Sequence, residues 1–184
     1  PVGAIQSLLS ALQEGFAGEV PPKQKDILAR CIKKQDQLLQ LIRDLLSLAE
    51  GQLSTDGQKM APIDLAAAAA EAVNLLEAVS QAKGVVIRYT TPRQPLLFQE
   101  VLGDFQRLFS NLLDNAIRYT PAGGSVELTL AGADNTIALT VKDTGIGIEP
   151  EFRDKIFEEF YRTPQAKRVQ TDGTGLGLAI VRGT

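Results

Sequence analysis

The stretch from Phe105 to Thr120, FQRLFSNLLDNAIRYT, constrains the fold more than any other part of the chain. Phe105, Leu108, Phe109, Leu112, Leu113 and Ile117 recur at helical spacing, which predicts an amphipathic helix buried along one side. Asn111 and Asn115 fall one turn apart on a single face. Asparagine is a mediocre helix former because its amide competes for backbone hydrogen bonds. Two in register, beside Asp114, Arg118 and Tyr119, read either as a solvated face or as a polar edge with a task.

Bulk properties narrow the choice. A chain of 184 residues suffices for one well-cored domain, or for a small helical unit plus an ordinary domain. With 44% hydrophobic and 22% charged residues, its composition is that of a soluble globular protein. A net charge of -3 without a basic run argues against nucleic acid as the main partner. The single cysteine, Cys31, falls in an apolar helical run and is expected as a buried thiol, with no disulfide within the chain. Nothing resembles a signal peptide or a membrane span. The chain has no histidine, so it cannot by itself build a histidine acid–base or metal site.

In chain order, Ile5, Leu8, Leu9, Leu12 and Phe16 form one helical stripe over residues 2–16. After Gly18 and Pro21-Pro22, a second helix from Gln24 to Glu50 places Ile27, Cys31, Leu38, Leu41, Ile42, Leu45 and Leu48 at a spacing near 3.5. Such a hairpin leaves each stripe half uncovered; a second copy would complete a four-helix bundle, and packing against the rest of the chain is the alternative. Gly51 to Gln58 reads as a linker. Asp64 caps an alanine-rich helix to Gln81, and Lys83-Gly84 ends it. Strands are predicted at Val85–Thr90, Ser125–Ala131 and Thr136–Asp143, the last two joined by a hairpin at Gly132–Asn135, with a short extended piece at Leu96–Gln99 after Pro92 and Pro95. Asp104 caps the asparagine helix, and Pro121 to Gly124 is a turn. A short helical piece around Glu151–Phe160, a polar loop from Thr163 to Thr174 and an apolar helix from Leu176 complete the chain. Strands with segregated helices predict a two-layer α+β domain.

Two glycine loops follow the asparagine helix. Asp143-Thr-Gly-Ile-Gly-Ile148 leaves a strand, and Gly173-Thr-Gly-Leu-Gly-Leu178 enters a helix. The first carries Pro150 where a dinucleotide fingerprint needs its third glycine, and the second follows a loop instead of a strand. Neither is a Walker loop, since no G-K-[ST] occurs. Glycines so spaced let backbone N–H groups approach an anion, and the helix from Leu176 offers a partially positive end. One such loop is weak evidence because turns need glycine anyway; two beside an asparagine helix are stronger.

N-L-L-x-N-A-I-R-Y-T at 111–120, D-T-G-I-G-I at 143–148, F-E-E-F at 157–160 and G-T-G-L-G-L at 173–178 resemble, in order and spacing, the N, G1, F and G2 boxes of bacterial sensor histidine kinases. That family belongs to the ATPase superfamily of gyrase, Hsp90 and MutL; the F box and the hairpin favour its kinase branch. The resemblance implies a dimerisation and phosphotransfer hairpin over 1–51, half of a dimeric four-helix bundle. A linker over 52–60 and a Bergerat-type α/β sandwich ATP-binding domain over 61–184 would follow.

By position, the resemblance implies that Asp143 accepts a hydrogen bond from the adenine amino group. Facing guanine it would oppose two acceptors, disfavouring GTP by ~1–3 kcal/mol; the plain alternative is a turn residue. Asn115 would give its amide oxygen to Mg²⁺, whose octahedron is otherwise filled by phosphate and water. Asn111 would bind phosphate or a metal-bound water, Arg118 would counter phosphate charge, and Tyr119 would pack on the nucleotide or serve as a core aromatic. Gly145 and Gly147 would bring backbone to the adenine side, while Gly173, Thr174, Gly175, Leu176 and Gly177 would cradle phosphates. Between Ile148 and Gly173 would lie a mobile lid anchored by Phe157 and Phe160. Lys167 and Arg168 in that lid read as solvated, with γ-phosphate contact as the alternative.

The same resemblance places the phosphoacceptor histidine just before Pro1, so no catalytic acceptor is expected in this chain and it should not autophosphorylate. The family also continues beyond A-I-V-R, so both ends read as truncated. The implied function is the cytoplasmic ATP–Mg²⁺ kinase core of a two-component sensor. It would form a homodimer through 1–51 and signal to a response-regulator receiver domain, with no membrane contact by this fragment. The alternatives are a non-catalytic dimerisation module with a vestigial pocket and another ATPase of the superfamily.

Overall fold

The computed structural model describes residues 2–52, 60–101, 104–133 and 136–183. Two compact units emerge, Pro1–Ser47 and Leu48–Thr184.

The first unit is a helical hairpin. Helices α1 (Val2–Gln13) and α2 (Pro22–Gln52) are joined by a turn in which Gly15 and Gly18 take φ of 86° and 114°, conformations closed to most side chains. Pro22 opens α2, where its missing N–H costs nothing. Gln6 Nε2 donates to Asp36 Oδ1 at 3.2 Å, tying the two helices. Much of the apolar stripe faces outward: Leu8 is 66% exposed and Phe16 81%. Cys31 is exposed as well, contrary to the buried thiol expected, because the stripe to which it belongs is uncovered.

The second unit has two layers. Strand β1 (Met60–Asp64) pairs antiparallel with β3 (Leu97–Val101). In the other sheet β2 (Val86–Thr90) runs parallel to β4 (Ser125–Ala133), which pairs antiparallel with β5 (Thr136–Asp143). Helices α3 (Leu65–Lys83) and α4 (Asp104–Tyr119) pack on each other and on this sheet. Ala69 and Ala72 of α3 are fully buried, their small side chains permitting close helix approach. Phe109, Leu113 and Ile117 of α4 meet Val126, Leu128 and Leu130, the alternate residues of β4.

Asp64 begins α3 as expected, its Oδ1 accepting from Ala66 N at 3.0 Å and also from Leu96 N at 3.0 Å. Strand β1 has no counterpart in the sequence reading, because Pro62 and Asp64 mask any alternation; its Met60 falls at the end of the expected linker. Residues 53–59 of that linker lie outside the described residues, and Gly51 and Gln52 continue α2. Likewise β4 extends through Gly132 and Ala133, with 134–135 of the expected hairpin turn outside the described residues. The helical piece near 151–160 resolves into two 3-10 turns, Pro150–Phe152 and Lys155–Phe157. The expected polar loop contains a helix, α5 (Pro164–Val169), because Thr163 caps it at 3.1 Å through Ala166 N and Pro164 pre-sets its first turn. Helix α6 (Gly177–Gly183) packs on α4.

Candidate functional site

Helix α4 divides its labour by face. Phe109, Leu113 and Ile117 anchor it in the core, which leaves Asn111 and Asn115 half-buried along another edge. The start of α6 comes against those amides. A Cβ on Gly177 would lie 3.4 Å from Asn111 Oδ1 and 3.5 Å from Asn115 Nδ2. Leu176, fully buried, pins the turn ahead of α6, and its N–H donates to Thr174 Oγ1 at 3.3 Å. The Asn111 and Asn115 amides and the second glycine loop thus lie side by side, leaving little room for a side chain at position 177.

The first glycine loop meets the C-terminal end of α4. Asp143 closes β5, and its Oδ1 accepts from Gly145 N at 2.8 Å, an Asx-type turn that orients the carboxylate. Ile146 N donates to Tyr119 O at 3.2 Å. Glycine is required at 145, where a Cβ would stand 2.6 Å from Asp143 Oδ1 and 2.7 Å from Tyr119 O. Gly147 turns with φ of 67°. Tyr119 is half-buried, while Asp143 lies on the exposed rim.

Arg118 is engaged with Asp114, Nε to Oδ2 at 2.7 Å, both side chains 39% exposed. An i,i+4 pair this solvated is worth about 0.3–0.5 kcal/mol, so it restrains Arg118 only weakly.

Two residues escaped the sequence reading. The Arg162 guanidinium organises the loop ahead of Gly173: Nη1 donates to Thr171 O at 3.4 Å and Gly173 O at 3.3 Å, and Nη2 to Ala166 O at 3.3 Å and to Gln170 O. Gly173 lies against this planar group, where a Cβ would come within 3.2 Å of Cζ. Lys83 Nζ donates to Ile117 O at 2.8 Å and to Arg118 O. Burial, first, and the Arg118 charge lower the Lys83 pKa from its ordinary 10.5, while Asp114 opposes them. Both residues act on backbone carbonyls, which no spacing pattern reveals. Lys167 and Arg168 stand exposed in the last turn of α5. Phe157 is half-buried, whereas Phe160 is 56% exposed with φ of 62°, unlike the anchor expected. Gly175, itself at φ 75°, passes so close that a Cβ would lie 2.7 Å from the Phe160 carbonyl carbon.

A family described as histidine kinase-, DNA gyrase B- and HSP90-like ATPases matches residues 101–184. A mycobacterial sensor histidine kinase, MprB, superimposes with a TM-score of 0.55 at 31% identity, over 67% of this chain and 76% of that one. The chain belongs to the sensor histidine kinases. Among curated members of the family, the signal transduction histidine-protein kinase BaeS of Escherichia coli K12 is 30% identical over 183 residues. That match takes in 98% of this chain but 38% of BaeS, so the chain spans well under half of that relative. Full-length ShkA, solved in complex with AMPPNP, aligns over 99% of this chain and 39% of its own, with a TM-score of 0.71 and 27% identity. Through its matched domain this sensor kinase chain is an ATP-binding α/β sandwich of that superfamily. Among the described residues no helix is long and apolar enough to cross a membrane.

Proposed function

We propose that this chain is the cytoplasmic core of a two-component sensor kinase, holding ATP–Mg²⁺ for phosphoryl transfer to a histidine and onward to a response-regulator aspartate. The supporting observation is the close approach of Gly177 to Asn111 and Asn115, where a Cβ would stand 3.4 and 3.5 Å from the two amides, which gathers both over a glycine turn. An amide oxygen is a hard ligand suited to Mg²⁺, an ion that takes few protein ligands and keeps phosphate and water, so the donor set fits. Mg²⁺ would supply charge neutralisation at the phosphates.

In this reading Asn115 is the metal ligand and Asn111 holds phosphate or a metal-bound water. Gly173, Thr174, Gly175, Leu176 and Gly177 form the phosphate turn. Asp143, with Oδ1 fixed by Gly145 N, presents its carboxylate to the adenine amino group. Gly147 gives the loop its reversal, Tyr119 packs beside the base, and Arg118 exchanges Asp114 for phosphate. Catalysis is positioning and charge compensation, with no covalent step on these residues. No histidine occurs in the 184 residues, so the acceptor stands outside them.

The exposed leucines of α1 and α2 support a homodimer through 1–51, with 52–60 as linker and 61–184 as the catalytic domain. Titration calorimetry tests the assignment: Mg–ATP should bind, GTP at least about fivefold more weakly, and Asn115→Ala should lose affinity while remaining folded. Equal binding of ATP and GTP removes Asp143 from base recognition.

A further inference from the structure

The C-terminal end of an α-helix leaves four carbonyls without helical partners. In α4 each of them is accounted for. Thr120 N donates to Ala116 O at 3.1 Å, Lys83 Nζ serves Ile117 O and Arg118 O, and Ile146 N serves Tyr119 O. Three of the four are therefore held from elsewhere in the fold, two by one lysine and one by the first glycine loop. Lys83 occupies the last turn of α3, where a lysine commonly serves its own helix end. That end is already closed by backbone, through Gly84 at φ 72° with its N–H on Gln81 O and through Val85 N on Ser80 O. The ammonium is consequently free to reach across to a helix more than 30 residues later.

We propose that Lys83 is a positioning residue for the nucleotide site, closing the carbonyl end of α4 so that Tyr119 O and the Ile146 turn hold their register. The chain of contact runs from Lys83 Nζ to the peptides of Ile117 and Arg118, then to Tyr119 O, Ile146 N and the loop whose Gly145 N fixes Asp143. Removing the ammonium leaves two carbonyls of the last turn without a donor, and that turn frays or reorients. Arg118 and Tyr119 move with it, as does the carbonyl on which the loop is hung. Gly145 runs close beside the same carbonyl, since a Cβ built on it would stand 2.7 Å from Tyr119 O, so a shift of that oxygen is felt where the loop turns. The inference rests on the nucleotide-site reading above, but its geometric half stands apart from it.

The experiment uses the full 184-residue chain with Lys83→Met, which keeps the aliphatic stem, and Lys83→Arg, which restores donors. At a temperature where the variants retain wild-type circular dichroism, Mg–ATP affinity should fall about tenfold in Lys83→Met and largely return in Lys83→Arg. Amide exchange at Ile146 should accelerate in the methionine variant, with Val73 in the middle of α3 unchanged. A lowered melting temperature with wild-type affinity and wild-type Ile146 protection overturns the proposal, leaving Lys83 a stabilising residue only. Failure of the arginine variant to restore either readout overturns it too. If the methionine variant does not fold, Lys83→Gln, with a single amide donor group, is read by the same two measurements. Should the wild-type chain bind no Mg–ATP, the site reading fails, while Ile146 exchange still decides whether Lys83 positions the loop.

Discussion

Helices α2 and α4 carry apolar stripes written at nearly the same spacing, yet the two stripes meet opposite fates. On α4, Phe109 and Leu113 are 0% exposed and Ile117 1%, covered by α3 and the β2–β4–β5 sheet. On α2, Ile27 is 56% exposed and Leu38 49%, and the buried positions include the polar Gln35 and Asp44. Gln40 Nε2 donates to Asp44 Oδ1 at 2.8 Å, so that carboxylate is solvated by the protein itself. Periodicity reports which face of a helix is apolar; it does not report what covers that face. For α4 the cover is supplied by the same chain. For the hairpin we propose a second copy, since a stripe of this extent left in water is a liability to a lone protomer.

The largest effect expected from this contrast is on stability. Leu113→Ala should lower the unfolding free energy by about 3–4 kcal/mol, because the methyl groups removed leave a cavity in a packed core. The same deletion at Leu45, already 44% exposed, should cost under about 1 kcal/mol at protein concentrations too low for self-association. Urea unfolding measures both, and equal losses would abolish the contrast.

Next comes the polar edge of α4. On the proposed reading, Asn115→Ala should weaken Mg–ATP about 10–100-fold with little change in melting temperature, since Asn115 is half-buried at the edge of the core and not within it. A melting temperature that falls as far as that of Leu113→Ala would make the amide a structural group.

On the hairpin, Leu38→Glu combined with Leu45→Glu should leave circular dichroism and Mg–ATP affinity near wild type, yet shift sedimentation from dimer to monomer. Burying two carboxylates in a bundle core is costly, whereas exposing them in a protomer is not. Sedimentation unchanged by the pair would remove that face from any interface.

These tests also mark how far the sequence was legible. The four boxes, the cap at Asp64 and the strands β2, β4 and β5 were readable because each is a local pattern: glycine spacing, a carboxylate before an apolar run, period-two alternation. The junction of Gly177 with two asparagines was readable by resemblance alone, since no local rule brings residues more than 60 positions apart together. Strand β1 was hidden by Pro62, which weakens the strand signal although β3 supplies a partner. Helix α5 was legible in principle from Thr163-Pro164, but its six residues are too few to show periodicity. Lys83 and Arg162 were not legible, because a cation that serves main-chain oxygens, whether 34 residues away or 4 to 11, looks in sequence like any surface cation. Cys31 followed the stripe outward, and the stripe alone does not say whether a cover exists.

The smallest expected effect probes the ion pair beside that lysine. Asp114→Asn removes the weak partner of Arg118, which should cost at most about 0.5 kcal/mol at neutral pH and leave Arg118 available to phosphate. It also removes the charge that supports protonation of Lys83, whose pKa is lowered by burial and by Arg118. A lysine whose folded pKa lies below its unfolded value of 10.5 binds fewer protons folded than unfolded between those two limits, so stability rises with pH across that interval. In Asp114→Asn the folded pKa falls further, and the interval widens on its acid side. The deficit of the variant relative to wild type should therefore be greatest near neutral pH and shrink as pH rises through the folded pKa values of the two proteins, both below 10.5, above which the folded lysine is neutral in each. Urea midpoints of the two proteins measured from pH 7 upward would show this convergence; curves that run parallel or diverge would place Asp114 outside the electrostatic environment of Lys83.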